Sequence, residues 1–366
     1  MTRQIVENDT TFGKYRIVRR IGRGGAGEVY LARHCTLESD YALKVLKPEV
    51  AEDNPEFVAR FLREGRLSAQ IRHPNLIAVH DAGREELSGL YYIVMDVVSG
   101  GSLRDLLRRS TRLPPIRALN IVRQVACALE AGAKVGLVHR DIKPENIMFA
   151  EDGHVLLADL GIAKSSEGEQ DGMTMVNAVF GTPAYMSPEQ ARDSSSVDGR
   201  SDLFSLGIVL YEMLAGVRPY ANASPAELLA RIASSDSVPA LPPGAALKPA
   251  AQLVAALCEK DISRRIQSAT ELIVQIDRCL ADPEMVDPAD EQVTKIATGK
   301  MPVAPGRENR RIAESMLDEQ TRRLLIVLLA VLAALGGLLF LLSDSGCSAS
   351  TEHRHDAIEQ GRSMYE

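Results

Sequence analysis

The chain has 366 residues, 45% of them hydrophobic and 25% charged, with a formal net charge of −7. That length and balance exclude a disordered or fibrous chain and leave room for one large domain or two ordinary ones. The negative charge speaks against a nucleic-acid partner, and five scattered cysteines without a CxxC pair speak against a zinc site or a disulfide framework.

Residues 1–11 read as a polar tail without the apolar core of a signal peptide. Residues 15–47 then alternate apolar and polar in three short runs, which predicts three strands with a tight Gly-rich hairpin between the first two. Gly22, Gly24, Gly25 and Gly27 let the backbone approach phosphate oxygens and offer N–H donors to them. A dinucleotide loop of the same spacing opens a helix. Here the run that follows reads as a strand, and a second strand carries Lys44.

Asn54 and Pro55 signal a helix start, and apolar Phe57, Val58, Phe61 and Leu62 extend the helix over 55–72. Gly65 within it costs about 1 kcal/mol against Ala, which suits a mobile element. Two strands are expected at 76–82 and 90–97, then helices at about 102–109 and 115–133. Cys35, Cys127, Cys258 and Cys279 are expected as small buried apolar residues.

Residues 137–161 read LVHRDIKPENIMFAEDGHVLLADLG. Asp141, Lys143, Asn146 and Asp159 place acidic and amide oxygens, with one ammonium, at the intervals needed to orient a hydroxyl and hold a divalent cation against phosphates. Together with the glycine cluster and Lys44, this stretch resembles the catalytic and metal-binding loops of the eukaryotic-type (Hanks-type) Ser/Thr protein kinases, most closely their bacterial membrane-anchored members. The resemblance covers about 12–281. It implies an α+β, two-lobed protein kinase fold, with a β-rich N-lobe to about residue 95, a mainly helical C-lobe over 96–281, and one C-terminal transmembrane helix besides.

The resemblance also implies roles. Ile21, Gly22, Arg23, Gly24, Gly25, Ala26, Gly27, Val29 and Ala42 would line the ATP site, and Lys44, held by Glu64, would reach the α- and β-phosphates. Met95 would guard the adenine pocket, with Asp96 and Val98 on the hinge that bonds the base. Asp141 and Lys143 would act on the substrate hydroxyl and the transferring phosphoryl group. Asn146 and Asp159 would hold Mg²⁺, with Mn²⁺ as an alternative ion. Lys143 within DIKPEN matches the Ser/Thr-specific pattern, and Leu160 stands where the family has Phe. Residues 162–186 resemble an activation segment, with Thr174 and Thr182 as candidate phosphorylation sites and Arg140 as the group that grips a phosphate there. Asp202, in the buried helix expected at 199–214, resembles the support of the catalytic loop, and Arg265 resembles the partner of Glu189. A Pro-rich connection is expected at 238–249.

Beyond the kinase-like region, 282–323 is proline-containing and mixed in charge, which reads as a linker. Residues 324–342 carry no charge or strong polar group and span roughly 28 Å as a helix, the thickness of a bilayer core. Arg322 and Arg323 precede this segment, which orients the long N-terminal portion to the cytoplasm and the tail 343–366 outside, at the cell membrane. Small residues four apart, such as Ala333 and Gly337, permit a homodimer, which Cys347 could crosslink. The expected partners are protein substrates bearing Ser or Thr. The competing reading is a catalytically silent scaffold at the membrane.

Overall fold

The computed structural model describes residues 5–159, 183–192, 197–282 and 285. The Gly-rich region folds as β2 (Tyr15–Arg23), β3 (Gly27–His34) and β4 (Asp40–Leu46), preceded by a short β1 (Thr11–Phe12). With β5 (Val79–Arg84) and β6 (Tyr91–Asp96) they form an antiparallel sheet in the order β1-β2-β3-β4-β6-β5. Each predicted run became a strand because its alternation lets one face pack while the other meets a second layer. One face carries Tyr15, Ile17, Tyr30, Leu43, Val45 and Val94. The other carries Ala42, Leu46, Ile93 and Met95 and receives Phe57, Val58 and Phe61.

Those phenylalanines belong to α2 (Pro55–Gln70), which follows a short α1 (Pro48–Asp53) that the sequence reading did not separate from the loop. The expected start is in place: Pro55 occupies the first turn, and the Asn54 side chain accepts the Phe57 N–H at 2.9 Å. Gly65 has a packing reason. A Cβ there would lie 3.0 Å from Ile93 Cδ1 and 3.1 Å from Ala82 Cβ, so the glycine lets α2 seat closely on the sheet. The strand expected from residue 76 starts at Val79 instead, because the Ile77 N–H goes to the Leu157 carbonyl at 3.1 Å and the Asn75 carbonyl accepts the Leu157 N–H at 2.8 Å.

The second lobe is helical. α3 (Leu103–Arg109) opens with a capping box formed by Ser102 and Asp105, and α4 (Pro115–Ala133) has the bounds its apolar stripe predicted. α6 (Gly199–Ala215) is buried along nearly its whole length, with α4, α8 (Lys248–Leu257) and α9 (Ala269–Leu280) contributing to the same core. At Gly207 a Cβ would sit 2.6 Å from Leu257 Cβ, which is how α6 and α8 come so close. Short helices α5 (Pro188–Arg192) and α7 (Pro225–Ala233) and the hairpin of β7 (Ile147–Phe149) with β8 (Val155–Leu157) complete it. Met285 is buried in this core, so the globular part runs past the boundary expected near 281.

Cys258 and Cys279 are buried as expected, Cys127 is half-buried, and Cys35 is exposed because it lies in the turn joining β3 to β4. Among the described residues no helix is long and apolar enough to cross a membrane. The segment 324–342 expected to do so, residues 286–323, Cys347 and the tail lie outside the described residues, as do 160–182 with Leu160, Thr174 and Thr182.

Candidate active site

Strand register assembles the upper wall of the cleft. Gly22 pairs with Val29, Val29 with Lys44, and Lys44 with Ile93, one row across four strands. Two residues along, Leu31, Ala42 and Met95 form the next row. The pleat repeats every two residues, so the rows share a face and the expected glycine-loop, lysine and adenine-pocket positions come together. Gly27 is pressed onto β4: a Cβ there would lie 2.4 Å from the Val45 carbonyl oxygen. Met95 is buried opposite Ala42, while Asp96 is exposed and pairs with His80 at 2.6 Å. The Asp96 N–H goes to the Ala78 carbonyl at 3.0 Å, and Val98 follows on the hinge between the lobes.

At the tip of the glycine hairpin the structure adds Lys47, which the sequence reading passed over. Its ammonium donates to the carbonyls of Gly24 at 3.1 Å and Gly25 at 2.5 Å, and its N–H to Ala26 at 3.0 Å. Those bonds orient the peptide planes that follow Gly24, Gly25 and Ala26. The only sequence signal was a second lysine at the end of the Lys44 strand.

The lower wall is the catalytic loop. Lys143 Nζ donates to Asp141 Oδ2 at 2.6 Å. The Asn146 amide donates to the Asp141 carbonyl at 2.8 Å and to Oδ2 at 3.1 Å. These bonds fix the Asp141 carboxylate and turn the Asn146 carbonyl oxygen away from it. The loop is anchored from beneath: the buried Asp202 carboxylate accepts the N–H groups of His139 at 2.8 Å and Arg140 at 2.7 Å. Burial drives the Asp202 carboxyl up to about 7 against the pull of those two amides. Arg140 takes a left-handed φ of 62°, a strained conformation those bonds hold in place, and its carbonyl accepts the Gln190 amide at 3.0 Å. His139 is buried, with Nε2 2.9 Å from the Ala158 carbonyl, and burial holds its pKa below the ordinary value.

Across the cleft, Asp159 also has a left-handed φ, 54°, which aims its carboxylate at β4. Lys44 Nζ lies 2.6 Å from Asp159 Oδ1. The expected Lys44–Glu64 pair is not closed. Glu64 Oε2 is buried without a hydrogen-bond partner, and burial pushes the carboxyl up to about 7 although Arg140 and Lys44 pull it down. The lysine has taken the nearer carboxylate.

Among the described residues no three His, Cys, Asp or Glu side chains converge on a point. Asn146 and Asp159 nevertheless present an amide and a carboxylate oxygen, a donor set that suits a hard divalent cation completing its shell with water and phosphate oxygens. Far from the cleft, the expected Arg265–Glu189 pair is formed at 2.6 Å with Arg265 wholly buried, and it ties α5 to the Ser201 hydroxyl as well. Thr174 and Thr182 lie outside the described residues.

A two-lobed fold with a glycine hairpin and a lysine above, and an aspartate, asparagine and second aspartate below, is an arrangement built for phosphoryl transfer. The family model for the protein kinase domain matches residues 15–276. A serine/threonine-protein kinase PknB from Mycobacterium leprae is 42% identical over 228 residues, 62% of this chain and 36% of its own length. A probable serine/threonine-protein kinase of Streptomyces coelicolor is 38% identical over 73% of this chain and 40% of its own. The chain thus spans well under half the length of these relatives. The solved kinase domain of Mycobacterium tuberculosis PknI superposes with a TM-score of 0.61 at 29% identity, covering 76% of this chain and 100% of that one. The chain belongs to the protein kinase family, and its resemblance to the bacterial Ser/Thr kinases of that family is borne out.

Proposed function

We propose that the chain is a Ser/Thr protein kinase that transfers the γ-phosphoryl group of Mg-ATP to hydroxyls of proteins. The observation that carries this reading is Asp141, gripped by Lys143 and Asn146 on a loop that Asp202 anchors, facing a cleft closed above by Lys44. Asp141 orients the substrate hydroxyl and receives its proton as the oxygen bonds to the γ-phosphorus and the bond to ADP breaks. Lys143 offsets the charge developing on the transferred group. When bound, Mg²⁺ would sit at the oxygens of Asn146 and Asp159 and neutralise phosphate charge. The Ser/Thr-kinase names of the relatives support the substrate class.

In the active form Lys44 exchanges Asp159 for Glu64, freeing Asp159 for the cation. The open Lys44–Glu64 pair supports a kinase that is switched on, with phosphorylation of Thr174 or Thr182 as the trigger and Arg140 as its receiver. The enzyme works at the cytoplasmic face of the cell membrane, held by residues 324–342, where pairing of anchors would favour phosphorylation in trans. The intact Lys44, Glu64, Asp141, Asn146 and Asp159 weigh against a silent scaffold. The test is phosphate transfer from labelled ATP onto protein Ser/Thr. The Asp141→Asn chain should lose on the order of 10²- to 10⁴-fold in kcat while still binding ATP. Equal transfer by both chains, or by neither, would sink the assignment.

A further inference from the structure

Glu28 lies one residue past the last glycine of the hairpin, yet its carboxylate points away from the nucleotide side. Within β3, Glu28 and Tyr30 share one face and Val29 the other. Val29 packs toward the cleft with Ala42, and Tyr30 is in the core on the opposite side. There Glu28 is 1% exposed. Its oxygens accept Tyr30 Oη at 2.5 Å, Arg20 Nη1 at 2.8 Å and the backbone N–H of Ile5 at 3.1 Å, and Arg23 Nε stands 3.7 Å away. The next amide, of Val6, donates to Tyr30 Oη at 3.0 Å. Ile5 and Val6 also pack on the core that Tyr30 and Ile17 form, and the segment continues into β1 on the edge of the sheet.

A buried carboxylate is costly unless its bonds are made, so this node holds its geometry tightly. Burial alone would raise the Glu28 pKa; the Tyr30 hydroxyl, the Ile5 amide and Arg20 outweigh it, and the net shift is downward. The groups it ties together come from both strands of the glycine hairpin, through Arg20 and Glu28, and from a segment outside it.

We propose that residues 5–12 are a strap on the back of the glycine-rich hairpin, and that Glu28 is the positioning residue through which this strap sets the hairpin's height over ATP. The proposal rests on the reading of the cleft as an ATP site. Pre-organisation of a binding loop shows up as affinity, because ordering cost is removed from the binding step. The strap therefore acts on ATP binding and not on transfer once ATP is seated.

The test uses the full-length chain. Ile5→Pro deletes the N–H donor to Glu28 and trims the Ile5 packing on the Tyr30 core while leaving the side chains of Glu28, Arg20 and Tyr30 in place, and Glu28→Gln removes the charge at the node. ATP affinity is measured by calorimetric titration, and KM for ATP and kcat by steady-state transfer to a Ser/Thr peptide. Ile5→Pro should weaken ATP binding and raise its KM by roughly 3- to 10-fold, with kcat at saturating ATP and KM for the peptide within about twofold. The Ile5→Pro/Glu28→Gln chain should be no worse than Glu28→Gln alone, since both changes cut the same link. Thr10→Ala, which loses only a local bond to the Glu7 carbonyl, should match wild type. Unchanged ATP affinity in Ile5→Pro, or a fall in kcat at constant KM, would overturn the strap. A wild-type chain that binds no ATP would overturn the reading of the cleft beneath it.

Discussion

At the scale of single residues, the informative group is Glu64, because the motif named it and the structure gave it an unexpected environment. Its carboxyl is buried near Lys44 and Arg140, but neither neutralises it by direct contact, and burial lifts it from 4.5 to about 7. Since the folded-state value exceeds the unfolded one, the native chain holds more protons between those two pH values. Its contribution to stability is full below pH 4.5 and is lost as pH rises through about 7. Urea midpoints measured from pH 5 to 8 should fall with rising pH. The Glu64→Gln chain should show a flatter profile, and an identical slope in both chains would refute the assignment. Asp159 and Lys44 were both legible from spacing, but their mutual contact was not. Which of two carboxylates a lysine takes is decided by distances of a few ångströms across a cleft.

Elements carry the next set of consequences. α2 sits on the sheet through Gly65, and the helix-propensity argument alone made that glycine a weak spot. Contact with Ile93 and Ala82 makes it a seat instead. Gly65→Val should cost about 1–3 kcal/mol by overpacking, read as a lowered melting temperature, and should raise KM for ATP as α2 and Glu64 move out. A mutant of wild-type stability would show that the contact is slack. The Arg265–Glu189 pair belongs to the same scale. Arg265 is wholly buried, so removing its partner strands a charge, and Glu189→Ala should lose about 3–5 kcal/mol in urea unfolding. A loss under about 1 kcal/mol would mean that solvent reaches the guanidinium. The helices α4 and α6 were readable almost to the residue because long apolar stripes and caps are local signals. β5 was displaced by three residues, since residues 75–77 look like strand but pair with Leu157, eighty residues away in the chain, through the Ile77 N–H and the Asn75 carbonyl.

For the whole molecule, two lobes with separate cores meet along the hinge at Met95 to Val98 and at the β8 contact with residues 75–77. The linker and apolar segment that follow belong to the proposal that the enzyme is tethered. Cell fractionation provides the check: the full chain should pellet with membranes and resist extraction by high salt, whereas a chain lacking 324–342 should move to the soluble fraction with its kinase activity retained. Recovery of the full chain in the soluble fraction would remove the anchor and, with it, the argument for phosphorylation in trans at a membrane.

The family and the residues proposed to carry its chemistry were legible in the sequence alone. Asp141, Lys143, Asn146 and Asp159 are spaced along one loop and hairpin, and Lys44 follows the glycines at a strand-to-strand interval, so local backbone geometry was enough to form each of the two walls. Tertiary structure alone decided how those groups are held. Asp202 reaches the loop from more than sixty residues away, Lys44 chose Asp159 over Glu64, and Glu28 turned away from the cleft to meet Ile5. Each is a long-range hydrogen bond between polar groups that are wholly or partly buried, where an unmade bond is costly and the choice of partner depends on which backbone happens to arrive there.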